Sequence, residues 1–156
     1  MNRVEQRLLK PSDRVDLVSS LDTFPTVLAA AGLEIPDGLP GYNLLPQLKS
    51  GEEIARDTVF GDCYAHDVAD VDDPEATLLY LWCIRDRWKL ILAYDGEVNR
   101  YTVQHPRSEA VQLFKLDVDP HETENLADKF PEKVTELKEA IENWYPLTKR
   151  KVVSSR

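Results

Sequence analysis

The stretch LFKLDVDPHETENL, residues 113–126, concentrates side chains that could do chemistry. Its carboxylates could bind Ca²⁺ or act as an acid/base pair, but either role requires them to converge on one point. Asp119 precedes Pro120, a pair typical of a turn, because an aspartate accepts from backbone N–H groups ahead of it while proline fixes φ. Glu122 and Asn125 are expected to bind backbone groups at the start of a following helix. We therefore interpret the stretch as a joint, with a calcium-type site as the alternative.

The two cysteines, Cys63 and Cys83, are the other candidates for chemistry. They fall near the far ends of two predicted strands, and if those strands pair as antiparallel neighbours the thiols lie about 13 Å apart. That separation exceeds the reach of a disulfide, so both are predicted to be free thiols. Their spacing does not resemble a zinc cluster.

Composition limits the classes of partner. The chain has 156 residues, 42% of them hydrophobic, which suits one domain, or one domain plus a remnant. Its 19 Lys and Arg against 28 Asp and Glu give a net charge of -9, which argues against nucleic acid and against an anionic membrane surface. No run reaches the roughly 18 apolar residues of a membrane span, and no apolar leader follows residues 1–5. The sequence does not give the compartment.

Residues 1–50 predict a short strand, a helix and a connector. The strand is expected at 14–19 from its alternation, and Asp22 is expected to be the N-cap of the helix that follows. Pro25 suits the first helical turn and Gly32 a left-handed stop. Helical spacing predicts one apolar face, made of Phe24, Val27, Leu28 and Ala31.

Beyond a domain boundary placed near Gly51, the pattern predicts a sheet. Four segments rich in β-branched, aromatic or leucine residues are predicted strands, at 58–64, 77–85, 88–94 and 111–116. Since no helix separates them, they predict an antiparallel sheet. The second should be central, because both of its faces are apolar, with Leu78, Tyr80, Trp82 and Ile84 on one of them. Helical spacing over 129–145 then predicts one closing amphipathic helix. The fold class is α+β.

Five stretches together resemble the sulfatase family, in the family's order. The pattern LFxLxxDPxExxNL of residues 113–126 is similar to its carboxy-terminal signature, and DxxPTxLxxAG at 22–32 is similar to one of its helices. The others are GxxLLPxL at 41–48, RDxVFG at 56–61 and RxxWKLI at 85–91. Each is weak alone, and together they span about residues 14–145.

The resemblance implies an α/β catalytic domain of alkaline-phosphatase type followed by a small domain with a four-stranded antiparallel sheet and a terminal helix. Residues 1–50 would be a strand-helix remnant and connector of the first, and residues 51–156 the second. In the family, a cysteine or serine of a Cys/Ser-x-Pro-x-Arg motif becomes formylglycine beside a calcium ion. Neither Cys63 nor Cys83 has the required proline, and the calcium ligands have no counterpart here, so no catalytic residue and no cofactor is assigned to this chain.

Three residues are candidates for the rim of a substrate pocket: His66, Arg85 and Lys89. His66 could contact a leaving group or a sugar hydroxyl, or could be an exposed loop histidine. Arg85 and Lys89 belong to a locally basic span, with Arg87, Arg100, His105 and Arg107, that could attract a sulfated ligand. Solvated strand edges explain the same span.

We therefore expect the carboxy-terminal domain of a sulfatase-like sulfuric ester hydrolase, which walls the pocket, stabilises the catalytic domain and is inactive alone. Its implied partners are a sulfated small molecule or glycan and the catalytic domain, with homo-oligomers possible through the amino-terminal unit. Intact family members are often periplasmic or secreted. One alternative is a fragment of a related phosphodiesterase or phosphonate hydrolase of the alkaline phosphatase superfamily. Another is a stand-alone binding or interaction module.

Overall fold

The chain divides into two units between Asp57 and Thr58. The structure, a computed structural model, describes residues 15–65, 70–94 and 109–152. In the first unit a 3-10 turn at Ser20–Asp22 leads into helix α1, Thr23–Ala30, and a connector leads on to the short helix α2, Leu45–Ser50. Within the described ranges, no helix is both long and apolar enough to cross a membrane.

Helix α1 forms where its sequence predicts it, but the strand before it does not. Pro25 is the third residue of α1, where its missing N–H leaves no bond unmade. Gly32, two residues after the helix, has a φ of 71°, which glycine adopts without steric cost. Residues 15–19, the described part of the predicted strand, have no regular structure. A strand needs a neighbour for its backbone groups, and the described sheet contains no partner for this segment.

Asp22 is the N-cap residue of α1, as predicted, but its carboxylate makes no capping hydrogen bond to the helix. Asp22 is 1% exposed. Its carboxylate accepts two hydrogen bonds from the Arg56 guanidinium, with Oδ2 2.5 Å from Nη1 and Oδ1 2.6 Å from Nη2. The backbone N–H groups of Ser19 and Tyr42 donate to the same carboxylate. The Arg56 guanidinium also lies 4.1 Å from the centroid of the Tyr42 ring. Because a buried charge is tolerated only with full pairing, this Asp22–Arg56 clamp fixes the connector against the start of α1.

Two further contacts hold the connector to residues 21–26. The backbone N–H of Leu44 donates to the Thr26 hydroxyl at 2.9 Å. At Gly41 a Cβ would lie 2.0 Å from the carbonyl oxygen of Leu21, so glycine is needed for the chains to approach this closely.

The predicted apolar face of α1 is largely in solvent. Phe24 and Val27 are each 57% exposed, and Leu21, three residues before Phe24, is 54% exposed. The buried residues of this segment are Asp22 and Pro25. Of the predicted apolar face, Leu28 is half-buried, while Phe24, Val27 and Ala31 are exposed.

The second unit is the predicted four-stranded antiparallel sheet with a helix packed on it. Its strands are β1, Thr58–Tyr64, β2, Leu78–Arg85, β3, Trp88–Ala93, and β4, Val111–Lys115, in the order β1-β2-β3-β4. Helix α3, Pro131–Trp144, follows. The α+β fold class is confirmed, and each strand begins and ends within one residue of its predicted bounds.

Helix α3 covers one face of this sheet. Its residues Leu137 and Ile141 are fully buried in a cluster with Leu81, Cys83, Leu90, Leu92 and Leu113. The opposite face carries a second buried cluster that includes Tyr80, Ile91, Ala93 and Phe114. The two clusters confirm that β2 is buried on both faces, as expected for a central strand.

Leu78 departs from the predicted alternation. It packs in the cluster of Leu81 rather than in that of Tyr80. The pairing of β1 with β2 shifts its register between Cys63 and Tyr64, opposite this end of β2. Such an irregularity changes which side of the sheet a side chain faces, and the sequence pattern does not reveal it.

The clamp predicts how stability depends on pH. The Arg56 guanidinium lowers the pKa of the Asp22 carboxyl from 3.8 to about 2, so its contribution is present above pH 4 and is lost as the pH falls towards 2. Asp22→Asn should lower the free energy of unfolding by about 3 kcal/mol at pH 7 and flatten its acid dependence. Urea midpoints followed by circular dichroism at pH 7, 4 and 2.5 test this. The control is Asp37→Asn, an exposed carboxylate of the same unit. Equal midpoints for both variants would contradict the clamp.

Candidate functional site

The joint between β4 and α3, residues 116–130, contains the acidic stretch, and local hydrogen bonds fix its first turn. The Oδ2 of Asp119 accepts from the backbone N–H groups of Thr123 at 2.7 Å and Glu124 at 3.0 Å. Its Oδ1 accepts from the Thr123 hydroxyl at 3.0 Å. The Glu124 N–H, with the two Thr123 donors, holds the pKa of the Asp119 carboxyl below its ordinary value. The prediction that Asp119 starts a turn is confirmed.

Asn125 binds the edge of the sheet rather than the start of α3, which corrects the prediction. Its Oδ1 accepts from the backbone N–H groups of Leu113 and Ala127, both at 3.0 Å. Its Nδ2 donates to the carbonyl oxygen of Val111 at 3.0 Å and to the carboxylate of Glu109. The amide thus occupies backbone groups of β4 that an adjacent strand would otherwise use.

Glu122 also has a different partner from the one predicted. Its Oε1 lies 2.5 Å from the Nζ of Lys89, on β3. The Lys89 ammonium lies 5.7 Å from the centroid of the Trp82 ring, so a carboxylate and an aromatic ring both flank it. Glu122 has a φ of 55°, an uncommon conformation for a residue with a side chain. Sequence reasoning missed this pair because 33 residues separate its members.

The rim candidates Arg85 and Lys89 lie on opposite faces of the sheet. Arg85 is on the α3 side, with its Nε 2.6 Å from the Thr58 hydroxyl and its Nη1 3.9 Å from the carboxylate of Glu136 on α3. Lys89 is paired across the strands with Ile84, on the other side. His66 lies outside the described residues, as do Arg100, His105 and Arg107. Of the predicted rim, the structure therefore places two residues, and it does not bring them together.

The two cysteines lie in different environments. Both are free thiols, as predicted; Cys63 is exposed and Cys83 is buried. Burial raises the pKa of the Cys83 thiol to about 11, which disfavours the thiolate. Across residues 15–65, 70–94 and 109–152, no group of three or more His, Cys, Asp or Glu side chains could hold a metal ion. The described residues thus contain no candidate calcium cage, and Lys89 and Glu122 form an ion pair.

Comparison with protein families identifies the region. Residues 3–145 match the family model described as N-sulphoglucosamine sulphohydrolase, C-terminal. Arylsulfatase K of Xenopus laevis is 33% identical over 132 residues, which cover 83% of this chain and 22% of that protein. The chain thus spans about a fifth of the length of the relatives it matches.

Solved structures match the fold. One is BT4656 in complex with its substrate D-glucosamine-2-N,6-O-disulfate, with a TM-score of 0.56 and 21% identity over 80% of this chain and 23% of that one. Another is the phosphonate monoester hydrolase of Agrobacterium radiobacter, with a TM-score of 0.57 and 21% identity over 88% of this chain and 27% of that one. At these identities the likeness shows the fold alone, and the fold does not separate sulfatases from phosphonate hydrolases.

The binding of Asn125 to β4 is testable. Asn125→Asp keeps the oxygen that accepts from Leu113 but loses the donor to Val111 and places a second negative charge beside Glu109. We expect the free energy of unfolding to fall by about 2 kcal/mol. The matched control is Asn143→Asp, at an exposed position in the last turn of α3, where the added charge should cost less than about 1 kcal/mol. Chemical denaturation measures both, and equal losses would contradict the assignment.

Proposed function

The chain belongs to the sulfatase family as the carboxy-terminal region of such an enzyme, and we propose that it walls the substrate pocket and stabilises the catalytic domain of a sulfuric ester hydrolase. The match of residues 3–145 to the carboxy-terminal family model carries the proposal. In this proposal residues 1–50 are the last part of the catalytic domain with its connector, and residues 51–156 are the small domain. The substrate class is a sulfated small molecule or glycan.

The division of labour in this proposal follows from what sulfate-ester cleavage needs. The reaction requires an activated nucleophile and cationic groups that neutralise charge on the sulfuryl oxygens. Neither cysteine is followed by the proline of the modification motif, and the described residues hold no metal cluster, so formylglycine and calcium would be supplied by another part of the enzyme. This chain would contribute rigid walls and a few cationic groups, a role that suits a small sheet buried on both faces.

Lys89 is our preferred rim residue among the described ones. It sits on the face of the sheet away from α3, its side chain is 19% exposed, and its pairing with Glu122 holds the ammonium in one place. A sulfate group that binds this ammonium costs little side-chain freedom, but it competes with the Glu122 carboxylate for the same charge. Arg85 and His66 remain proposed rim residues, with Arg85 on the α3 side.

The phosphonate hydrolase alternative is supported only by the fold. The sulfatase proposal has the additional support of sequence identity to arylsulfatase K and of the family model. If the chain is instead a stand-alone binding module, a longer protein that contains it should bind a sulfated ligand but not hydrolyse it. An assay of hydrolysis by a protein that also contains the catalytic region distinguishes the binding module from both enzyme hypotheses.

We expect the 156-residue chain alone not to hydrolyse 4-nitrophenyl sulfate, even with calcium and a formylglycine-generating enzyme present. The physical reason is that a basic rim cannot replace a nucleophile, whose loss typically removes many orders of magnitude in rate. Cys63→Ala and Cys83→Ala are the controls. Metal-dependent release of nitrophenol above the buffer rate, abolished by either replacement, would show that this region carries its own active site.

The rim role of Lys89 is tested in a chimaera in which residues 3–145 replace the matched fifth of Xenopus laevis arylsulfatase K. Lys89→Met should raise KM for a sulfated substrate about tenfold, because it removes one charge-assisted contact, while kcat changes less. Lys138→Met, on the exposed part of α3, is the matched control and should leave KM unchanged.

A second variant separates contact with substrate from support of the joint. Glu122→Gln weakens the ion pair but keeps Lys89, so KM should stay the same or fall if Lys89 binds substrate. An equal rise of KM in Lys89→Met and Glu122→Gln would instead show that Lys89 acts by holding the joint, and the rim role would be abandoned.

A further inference from the structure

The indole ring of Trp82, on β2, lies over the backbone of β1. Trp82 pairs with Gly61 across the strands, on the face of the sheet away from α3. A Cβ at position 61 would lie 2.2 Å from Cζ2 and 2.3 Å from Cε2 of the ring, so any side chain there would displace the ring. A glycine inside a strand often marks such a close approach. The ring thus has a defined position over β1, at one end of the strand order.

Trp82 differs from its neighbours on this face in its exposure. Tyr80, Ile91 and Phe114 belong to the cluster on which it packs and are 6%, 3% and 3% exposed, whereas Trp82 is half-buried. Tryptophan is rarely buried completely, so partial exposure alone does not mark a binding site. The polar groups beside the ring therefore decide what it can bind.

Two charged side chains border the ring. The Nζ of Lys89 lies 5.7 Å from the ring centroid, and the Oε1 of Glu122 lies 2.5 Å from that Nζ. The two side chains are 19% and 20% exposed, so solvent reaches both. Because the ammonium is already paired with a carboxylate, a simple anion must compete for it. A ligand with both an apolar face and hydroxyl groups can instead bind the ring and both charged groups together.

A pyranose ring combines these two kinds of surface. The C–H groups on one of its faces are apolar and pack on an aromatic plane, while its hydroxyl groups project from its edge. An ammonium donates to such a hydroxyl oxygen, and a carboxylate accepts from a hydroxyl group. A planar aryl group would also stack on the indole, but it would offer no hydroxyl groups to the ion pair.

We propose that Trp82 is the residue on which a sugar ring of the substrate stacks, with Lys89 and Glu122 bound to oxygen atoms at the edge of the same sugar. Gly61 is a positioning residue in this proposal, because it allows the ring to lie against β1. The inference rests on the proposed function, since it uses the rim at which Lys89 is placed. It narrows the substrate class from a sulfated small molecule or glycan to a sulfated glycan.

The first test is a titration of the 156-residue chain with glucosamine 6-sulfate, followed by NMR of the tryptophan indole N–H groups. The resonance of Trp82, assigned with Trp82→Phe, should shift and saturate. Trp82→Leu should weaken binding about tenfold, because it removes the aromatic plane. The matched control is Trp144→Leu, on α3, where the ring stacks on Phe60 and is 41% exposed, and it should leave the affinity unchanged.

A second test uses the chimaera with Xenopus laevis arylsulfatase K. Trp82→Leu should raise KM for a sulfated glycoside about tenfold, with a smaller change in kcat, and leave inhibition by inorganic sulfate unchanged. Lys89→Met should weaken both. Gly61→Val should act like Trp82→Leu, because its side chain displaces the ring.

A Trp82 resonance that does not shift, or equal losses of affinity in Trp82→Leu and Trp144→Leu, would overturn the proposal. A shift with 4-nitrophenyl sulfate but not with glucosamine 6-sulfate would assign the ring to an aryl group instead. If circular dichroism shows that Trp82→Leu does not fold, Trp82→Tyr must keep the affinity and Gly61→Ala must lower it, and the opposite result refutes the stacking role. A chimaera without hydrolytic activity would count against the proposed function, while the titration of the chain would still decide the stacking role.

Discussion

The side-chain amide of Asn125 links three features of the second unit. It accepts from Leu113 and donates to Val111, so it closes the outer edge of β4 without another strand. By holding the joint against that edge, it also determines where the chain leaves the sheet to start α3. The same joint carries Glu122 to Lys89. Edge protection, helix placement and the position of one candidate rim residue therefore share one amide, whose donor and acceptor are both needed.

The alternation of a strand explains why a basic span in the sequence is not a basic surface. Arg85 and Lys89 are four residues apart, but the tight turn between them reverses the chain, with Asp86 and Arg87 both at positive φ. The register then pairs Arg85 with Trp88 and Ile84 with Lys89, which sends the two cations to opposite faces. Charged residues that are close in the sequence form one surface only when their side chains share a face of the sheet. Within one strand this requires an even spacing, and across a hairpin it depends on the turn.

Much of the fold followed from the sequence because its signals are local. The strands β1 to β4 and helix α3 each carry a period and flanking turn residues within their own span, and Asp119 acts through the next five residues. The partners of Asp22, Glu122 and Asn125 could not be predicted, since they lie 34, 33 and 12 residues away, respectively. For a polar side chain next to a helix, the sequence suggests a partner in the nearby backbone. In the folded structure each of these three side chains binds a residue that is distant in the sequence.

The prediction of a strand at 14–19 was wrong for a related reason. Alternating apolar and polar residues indicate that a segment can form a strand. The strand forms only if a neighbouring strand pairs with its backbone, and the segment's own sequence does not reveal that neighbour. In the first unit Asp22 and Thr26 bind the connector while Leu21, Phe24 and Val27 are exposed. A free-standing domain buries its apolar residues first, because they supply most of the driving force for folding. The exposed apolar residues of α1 and the missing strand thus share one physical feature, since within the described residues neither has a neighbour that buries or pairs it.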